Sequence, residues 1–379
     1  MTALVHLSDC HVSTFGDSFH FRSQRITRGK QHFAIGPRHE AVWGERGWTL
    51  YFDNKKRTYS IVDPDGYAHT RWGNVREQDA AIAYAERVGA RTAERLAREL
   101  PNGDELLRLY AATPENTNLR LIAAARALPI DAEYVFITGD LTDDGDGYAL
   151  IERAFAPWIE RGRFFAVPGN HDLFTVLIPS SVRPKPTRPS KRAAWKAFAE
   201  RIGLHLDPCG AWARYLPEER VMLVGLDSCN TTQRRFFLHN GAIEGGQIEF
   251  LRTLAEGEAW KNARSRIVGL HHHVVPLPHG VGRRAPPEIG MRLDNAKEMA
   301  ALFNELSVDL VLHGHRHVSE ERRPAGCRFR ILAAPSATLG CRSGDGPSCW
   351  HIDLEGKLHV ERTTWPWPSL DHASQIALG

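Results

Sequence analysis

Aspartate, asparagine and histidine recur in this chain in short clusters that directly follow apolar runs. Asp9 and His11 stand two apart, Gly139 precedes Asp140, Asn170 and His171 follow Pro168-Gly169, His271 opens a run of three histidines, and His315 and His317 stand two apart. Singly each cluster is commonplace. Together they offer enough carboxylate, amide and imidazole ligands for two hard-to-borderline divalent ions. The set contains no thiolate, which fits Zn, Mn, Fe or Ni hydrolytic sites and excludes iron–sulfur clusters. Two such ions need more than six ligands, with one carboxylate bridging them at a separation of ~3.5–4 Å. Independent capping and surface positions would not fall in this order at one kind of place.

That place is the end of a strand. Leu4 to Leu7, Tyr134 to Thr138, Phe164 to Val167, Val221 to Leu226, Ile267 to Leu270 and Leu310 to Leu312 are short, rich in β-branched or aromatic residues, and each runs straight into polar residues. Their length and composition predict strands. Helical patterns lie between them at 118–128, 147–160, 190–202, 246–254 and 296–306. Strand–helix alternation predicts an α/β layered fold, with ligands beyond the strand ends. At Asp9 and His11 the alternation of a strand points both side chains to one side and Cys10 to the other.

Residues 16–115 break the rhythm, because a crossover needs far fewer. Within them Trp48 to Phe52 and Thr58 to Val62 flank Asp53-Asn54-Lys55-Lys56-Arg57, a hairpin pattern, and an Ala-rich helical stretch runs from Glu77 to Leu100. The segment reads as an inserted subdomain or lid, leaving 1–15 and 116–365 as the main domain and 366–379 as a tail. Trp43, Trp48, Trp72, Arg57 and Arg71 read as its own small core and rim, with base stacking and phosphate binding as the alternative. Pro179 to Pro189 is a second long loop. Arg234, Arg235, His239, Arg283 and Arg284 lie in loops that could frame a cleft or simply face water. His351 to Thr364 reads as a hairpin closing the sheet.

The ordered set Asp9-x-His11, Gly139-Asp140, Gly169-Asn170-His171-Asp172, His271 and Gly314-His315-x-His317 resembles the calcineurin-like metallophosphoesterase superfamily. That resemblance implies a four-layer α/β/β/α sandwich with the metal site at one edge. By position it implies one ion on Asp9, His11 and His317, another on Asn170, His271 and His315, and Asp140 bridging them. His171 matches the catalytic histidine, and Asp172 is placed to orient it. His271 stands directly at the strand end, while His313 falls just outside the motif as a supporting residue. The resemblance is greatest to the class III cyclic-nucleotide phosphodiesterase and glycerophosphodiesterase branch. The residues that carry this are Val274-Val275-Pro276 after the three histidines, Gly225-Leu226-Asp227-Ser228 before Gly245-Gly246-Gln247, and Ala334-Pro335-Ser336. Leu141-Thr142-Asp143 stands where purple acid phosphatases carry a metal-binding tyrosine. The implied activity is dimetal-dependent hydrolysis of a small or nucleotide-type phosphodiester by a metal-bridging hydroxide. His171 would protonate the leaving alkoxide or hydrogen-bond the phosphoryl oxygens.

Composition limits the alternatives. The chain has 379 residues, of which 42% are hydrophobic and 25% charged, which is globular rather than disordered composition. With 48 Lys+Arg against 45 Asp+Glu the net charge is +3, so no global field favours nucleic acid or an acidic membrane. A nuclease of the same superfamily is therefore the lesser alternative, and a scaffold that has lost turnover is disfavoured because no motif position is missing. The six cysteines show no CxxC spacing, so reduced thiols are the default and a Cys341–Cys349 bridge the minor alternative. The N-terminus lacks a signal-peptide pattern and no 18-residue apolar run occurs, so the expectation is a cytoplasmic protein with no membrane partner. The Trp365-Pro366-Trp367-Pro368 tail is read as packed on the surface, with a homo-oligomer contact as its other use.

Overall fold

The computed structural model describes residues 2–13, 16, 33–45, 47–62, 78–79, 82, 92–112, 116–128, 132–143, 145, 147–173, 188–229, 240–275, 293–340 and 346–364. Two sheets face each other. The first has the order β14 (His359–Thr364), β13 (Ser348–Asp353), β1 (Ala3–Leu7), β5 (Ala132–Thr138), β6 (Phe164–Val167), with β1, β5 and β6 parallel. The second has the order β11 (Glu320–Arg322), β12 (Arg330–Ala333), β10 (Leu310–His313), β9 (Ser265–Gly269), β8 (Val221–Gly225), β7 (Trp212–Leu216). Its inner strands β8, β9, β10 and β12 are parallel.

Side-chain alternation makes the layers. Leu223, Ile267, Leu310, Leu312 and Leu332 enter the core shared with the first sheet. Their neighbours Met222, Val224, Val268, Val311 and Ile331 enter the opposite core, closed by α8 (Gly245–Glu256), α9 (Glu258–Asn262) and α10 (Ala296–Glu305). The outer side of the first sheet is covered by α3 (Thr117–Arg126), α4 (Tyr148–Ala154) and α7 (Arg188–Arg201). The result is α/β/β/α, as the resemblance implies. Trp212 Nε1 donates to Ala166 O (2.8 Å) and Trp350 Nε1 to Ala333 O (2.7 Å), tying one sheet to the other through tryptophans whose rings are buried.

The helix expected over 147–160 is two helices, α4 and α5 (Ala156–Ile159). Pro157 is the reason: it lacks an amide hydrogen and sits in the first turn of α5, so the ladder breaks at Phe155. The hairpin at 48–62 forms as β3 (Trp48–Asp53) and β4 (Thr58–Val62), joined by a turn in which Asp53 Oδ1 accepts from the amides of Lys55 and Lys56. A third strand, β2 (His39–Glu45), pairs with β3. Trp48, Leu50, Tyr59 and Ile61 form a separate small core there, with Trp43 packed against it and Arg57 over the Phe52 ring.

Of the 16–115 segment, α1 (Ala93–Arg98) and α2 (Gly103–Ala112) do not share that small core. Ala93, Leu96, Leu106, Leu109 and Tyr110 are buried in the first large core, so the separate unit is narrower than 16–115. Thr117 N donates to Gly16 O (2.7 Å), so the segment leaves and returns at one point. Half of the helix expected over 77–100, together with Arg71, Trp72, most of the 179–189 loop, Arg234, Arg235, His239, Arg283, Arg284, Cys341 and the tail from 365, lies outside the described residues. Among the described residues Cys10, Cys209, Cys229, Cys327 and Cys349 form no disulfide with one another. Among the described residues no helix is long and apolar enough to cross a membrane.

Candidate metal centre

The parallel strands of both sheets end at one edge, and the polar clusters converge there. Three groups of possible ligands form: Asp9, His11 and His317; Asp140, His271 and His315; and, between them, His11, Asp140 and His171. Asn170 joins the second group, its Oδ1 lying 3.0 Å from His271 Nε2. All of these except His171 and His317 are buried, so the centre opens to solvent on the side of those two imidazoles.

The backbone carries strain at the same residues. Asp9 (φ 55°), His11 (50°), Asp140 (48°), His315 (70°) and His317 (49°) are all left-handed, a conformation uncommon outside glycine. Such outliers persist only where surrounding contacts over-determine them, and here the contacts are evident. Asp9 N donates to Gly139 O and His11 N to Asp140 O, lacing the end of β1 to the end of β5. Ser336 Oγ donates to Asp9 O and Thr338 Oγ1 to Cys10 O from the loop after β12. Glycine makes the close approaches: a methyl on Gly314 would lie 1.7 Å from Ser8 Oγ and 2.3 Å from Asp9 Oδ2.

Hydrogen bonding fixes which atoms face inward. His271 Nδ1 donates to Thr138 O (2.9 Å), so Nε2 points into the centre and offers a lone pair once the ring gives up its second proton. That nitrogen meets Asn170 Oδ1 at 3.0 Å, His315 Nδ1 at 3.1 Å and Asp140 Oδ2 at 3.3 Å. His11 Nδ1 donates to Asp143 Oδ1 (2.7 Å), and its Nε2 faces His317 Nε2 at 3.0 Å. Asp9 Oδ1 is buried without a hydrogen-bond partner and faces His317 Nε2 at 3.2 Å. Acceptors gathered on acceptors repel unless a proton or a cation lies among them. The donor set therefore fits divalent metal, and the Asp143–His11 pair is the carboxylate support that metal-binding imidazoles use.

The electrostatics agree. Burial would raise the pKa of Asp140, yet His271, His171 and His11 hold it well below the usual carboxylate range. Asp9 is likewise lowered against its burial, chiefly by His317. Burial would lower His11 and His271, but Asp143, Asp140 and Asp9 around the first and Asp140 and Asp9 around the second raise each to about 9. Both rings therefore sit in a negative potential that a bound cation would answer.

The hydrogen bonds of the Asp172 carboxylate run to the loops after β5 and β6 and to Tyr148. Asp172 Oδ1 accepts from Thr142 N (2.8 Å), Thr142 Oγ1 (3.2 Å) and Tyr148 Oη (3.0 Å), and its Oδ2 from Gly169 N (2.8 Å) and Leu141 N (3.0 Å). It clamps the loop after β5 to the loop after β6. The carboxylate beside His171 is Asp143, with Oδ1 2.9 Å from His171 Nδ1 and 2.7 Å from His11 Nδ1. His272 and His273 face elsewhere: His272 Nδ1 pairs with Ser228 Oγ (2.9 Å), and His273 Nε2 with Gly314 O (2.8 Å) while its ring packs on His313 at 3.9 Å.

Fold and centre together define a metal-dependent hydrolase built at the strand ends of a two-sheet sandwich. The sequence profile of the calcineurin-like phosphoesterases matches residues 105–319, more than half of the chain, and the chain belongs to that family of metal-dependent phosphoesterases. Asp9 and His11 lie outside the matched stretch and are brought to it by β1. No curated relative matches the chain. Solved structures similar to it include a purple acid phosphatase from yellow lupin (Lupinus luteus) seeds, 11% identical over 65% of this chain and 47% of that one, with a TM-score of 0.43. The sulfate thiohydrolase SoxB of Thermus thermophilus is 14% identical over 99% and 59%, with a TM-score of 0.39. The phosphopantetheinyl hydrolase of Mycobacterium tuberculosis is 14% identical over 56% and 83%, with a TM-score of 0.35. The chain thus spans about half the length of the lupin structure. Likeness at this level adds nothing to the family assignment.

Proposed function

We propose that this protein is a dimetal phosphodiesterase acting on a small or nucleotide-type phosphodiester. The observation that carries the reading is the convergence of bare acceptors from Asp9, His11 and His317 on one side and Asp140, Asn170, His271 and His315 on the other, with His171 at the open side. Asp140, which belongs to two of the groups, is the residue proposed to be shared between two ions. Divalent ions held there (Mn, Fe, Zn or Ni) supply Lewis acidity, lowering the pKa of water and drawing charge from the phosphoryl oxygens.

The chain's own part is positioning and proton transfer. His171 N donates to Asp140 Oδ1 (2.8 Å), which sets the base of the ring against the shared carboxylate. Asp143 Oδ1 lies 2.9 Å from Nδ1 as its charge partner, which leaves Nε2 as the nitrogen to serve the substrate. As the P–O bond breaks, Nε2 gives its proton to the departing oxygen and the ring ends neutral, with Nδ1 still facing Asp143. Preference for diesters is supported by the class III motif residues 274–276, 225–228 and 334–336. The narrower inserted unit, rooted next to Asp9 and His11, is the proposed source of selectivity. The cytoplasmic setting is proposed from the scattered cysteines of the sequence, which show no CxxC spacing.

The test is hydrolysis of bis-p-nitrophenyl phosphate, p-nitrophenyl phosphate and a panel of cyclic nucleotides, dinucleotides and glycerophosphodiesters, before and after exhaustive chelation and Mn²⁺ addition. Diester turnover that is lost on chelation and restored by metal is expected. Turnover of monoesters alone would refute the diester reading.

A further inference from the structure

A buried cation stands behind the Asp143–His171 pair. Lys191, on α7, is 3% exposed, and its Nζ donates to Asp143 O (3.1 Å) and to His171 O. The His171 carbonyl belongs to α6 (Asn170–Leu173), a helix of four residues and too short to satisfy its own carbonyls through an i→i−4 ladder. A buried ammonium is costly unless hydrogen-bonded, so its place here is a constraint and not the solvation of a surface lysine. The chain closes tightly over its stem: Gly145 is left-handed (φ 83°), and a methyl there would lie 2.9 Å from Lys191 Cγ. One ammonium thus grips both residues by their main chains while their side chains meet at 2.9 Å.

We propose that Lys191 is a positioning residue for His171, setting the register of the Asp143–His171 pair and hence the transfer of a proton to the leaving oxygen. This rests on the reading of His171 as proton donor. Lys191 holds Asp143 and His171 by their main-chain carbonyls, so its effect is placed on the leaving-group step.

The experiment measures kcat and KM of the full chain, loaded with Mn²⁺, on aryl phosphodiesters whose leaving groups run from p-nitrophenol to unsubstituted phenol. Phenolate needs a proton far more than p-nitrophenolate does. Lys191→Met should lower kcat on the phenyl ester by about 10- to 100-fold and on the p-nitrophenyl ester by less than about threefold, with KM held. Lys191→Arg, which keeps a charged donor, should recover part of the phenyl-ester rate. In a His171→Ala background, Lys191→Met should cost nothing further on the phenyl ester. Equal losses on every leaving group, or losses that add fully to those of His171→Ala, would overturn the proposal and leave Lys191 a purely structural residue. If Lys191→Met does not fold, Gly145→Ala displaces the same side chain and should steepen the leaving-group dependence in the same direction. A flat dependence in that variant overturns the proposal too. Should His171→Ala itself lose all leaving groups equally, the proton-donor reading fails first and takes this inference with it.

Discussion

Adding one methyl group at Gly169 should disable the centre without replacing any proposed ligand residue. A Cβ at that position would lie 2.1 Å from both Asp140 N and Asp140 Oδ1 and 2.8 Å from Asp140 Cγ. Ordinary contact begins near 3.4 Å, so the two residues must separate by more than 1 Å. The backbone amide of Asp140 cannot rotate away as a side-chain tip could, and Asp140 is already left-handed and buried. Forcing such a contact costs typically about 1–3 kcal/mol of stability. Displacement by about 1 Å at a catalytic centre costs roughly 10²-fold in rate. The assay is metal-restored hydrolysis of bis-p-nitrophenyl phosphate, with metal content and urea unfolding measured on the same protein. Gly245→Ala is the control, since a methyl there meets nothing within 4 Å. Wild-type turnover and metal content in Gly169→Ala would refute the close approach of the two loops.

Two aspartates close in sequence should fail differently. Asp172→Asn gives up a carboxylate that accepts five hydrogen bonds, so it should cost about 2–4 kcal/mol in urea unfolding. Asp143→Asn removes the negative charge whose Oδ1 faces both imidazoles, so it should weaken metal binding by about 10- to 100-fold while unfolding changes less. Part of the acid sensitivity should trace to His6, whose pKa burial, aided by His313, lowers to about 3. The unfolded chain binds its proton below about 6.5 and the folded chain does not, so stability falls as pH drops through that window. The loss from this one group is about 2 kcal/mol at pH 5 relative to pH 8, and urea unfolding of metal-free His6→Gln should show a correspondingly flatter acid limb.

The strand ends are legible in the sequence because a short run such as Val135-Phe136-Ile137-Thr138 stops abruptly at Gly139-Asp140, and the same change recurs after β1, β6, β8, β9 and β10. Edge strands are harder to read. In β7 only Trp212 and Leu216 are buried, and β2 carries Gly44 and charged residues at both ends, so neither shows a clear alternation. Chain neighbourhood does not give the partners of Asp172: the first turn of α6 carries it back beneath Leu141 and Thr142, while the loop after β5 swings Asp143 under His11 and His171. A pairing of that kind depends on two loops meeting in space, which spacing along one of them does not encode. Lys191 is invisible for the same reason, because its partners are carbonyls and any residue could supply them.

The most direct measurement of the central claim is the location of bound metal. Crystals soaked in Mn²⁺ and measured at wavelengths on either side of the manganese absorption edge give anomalous peaks that need no assumption about the ligands. The expected result is two peaks per chain, one among Asp9, His11 and His317 and one among Asp140, Asn170, His271 and His315, with both lost in Asp140→Asn. Peaks away from these residues, or both peaks retained in Asp140→Asn, would contradict it.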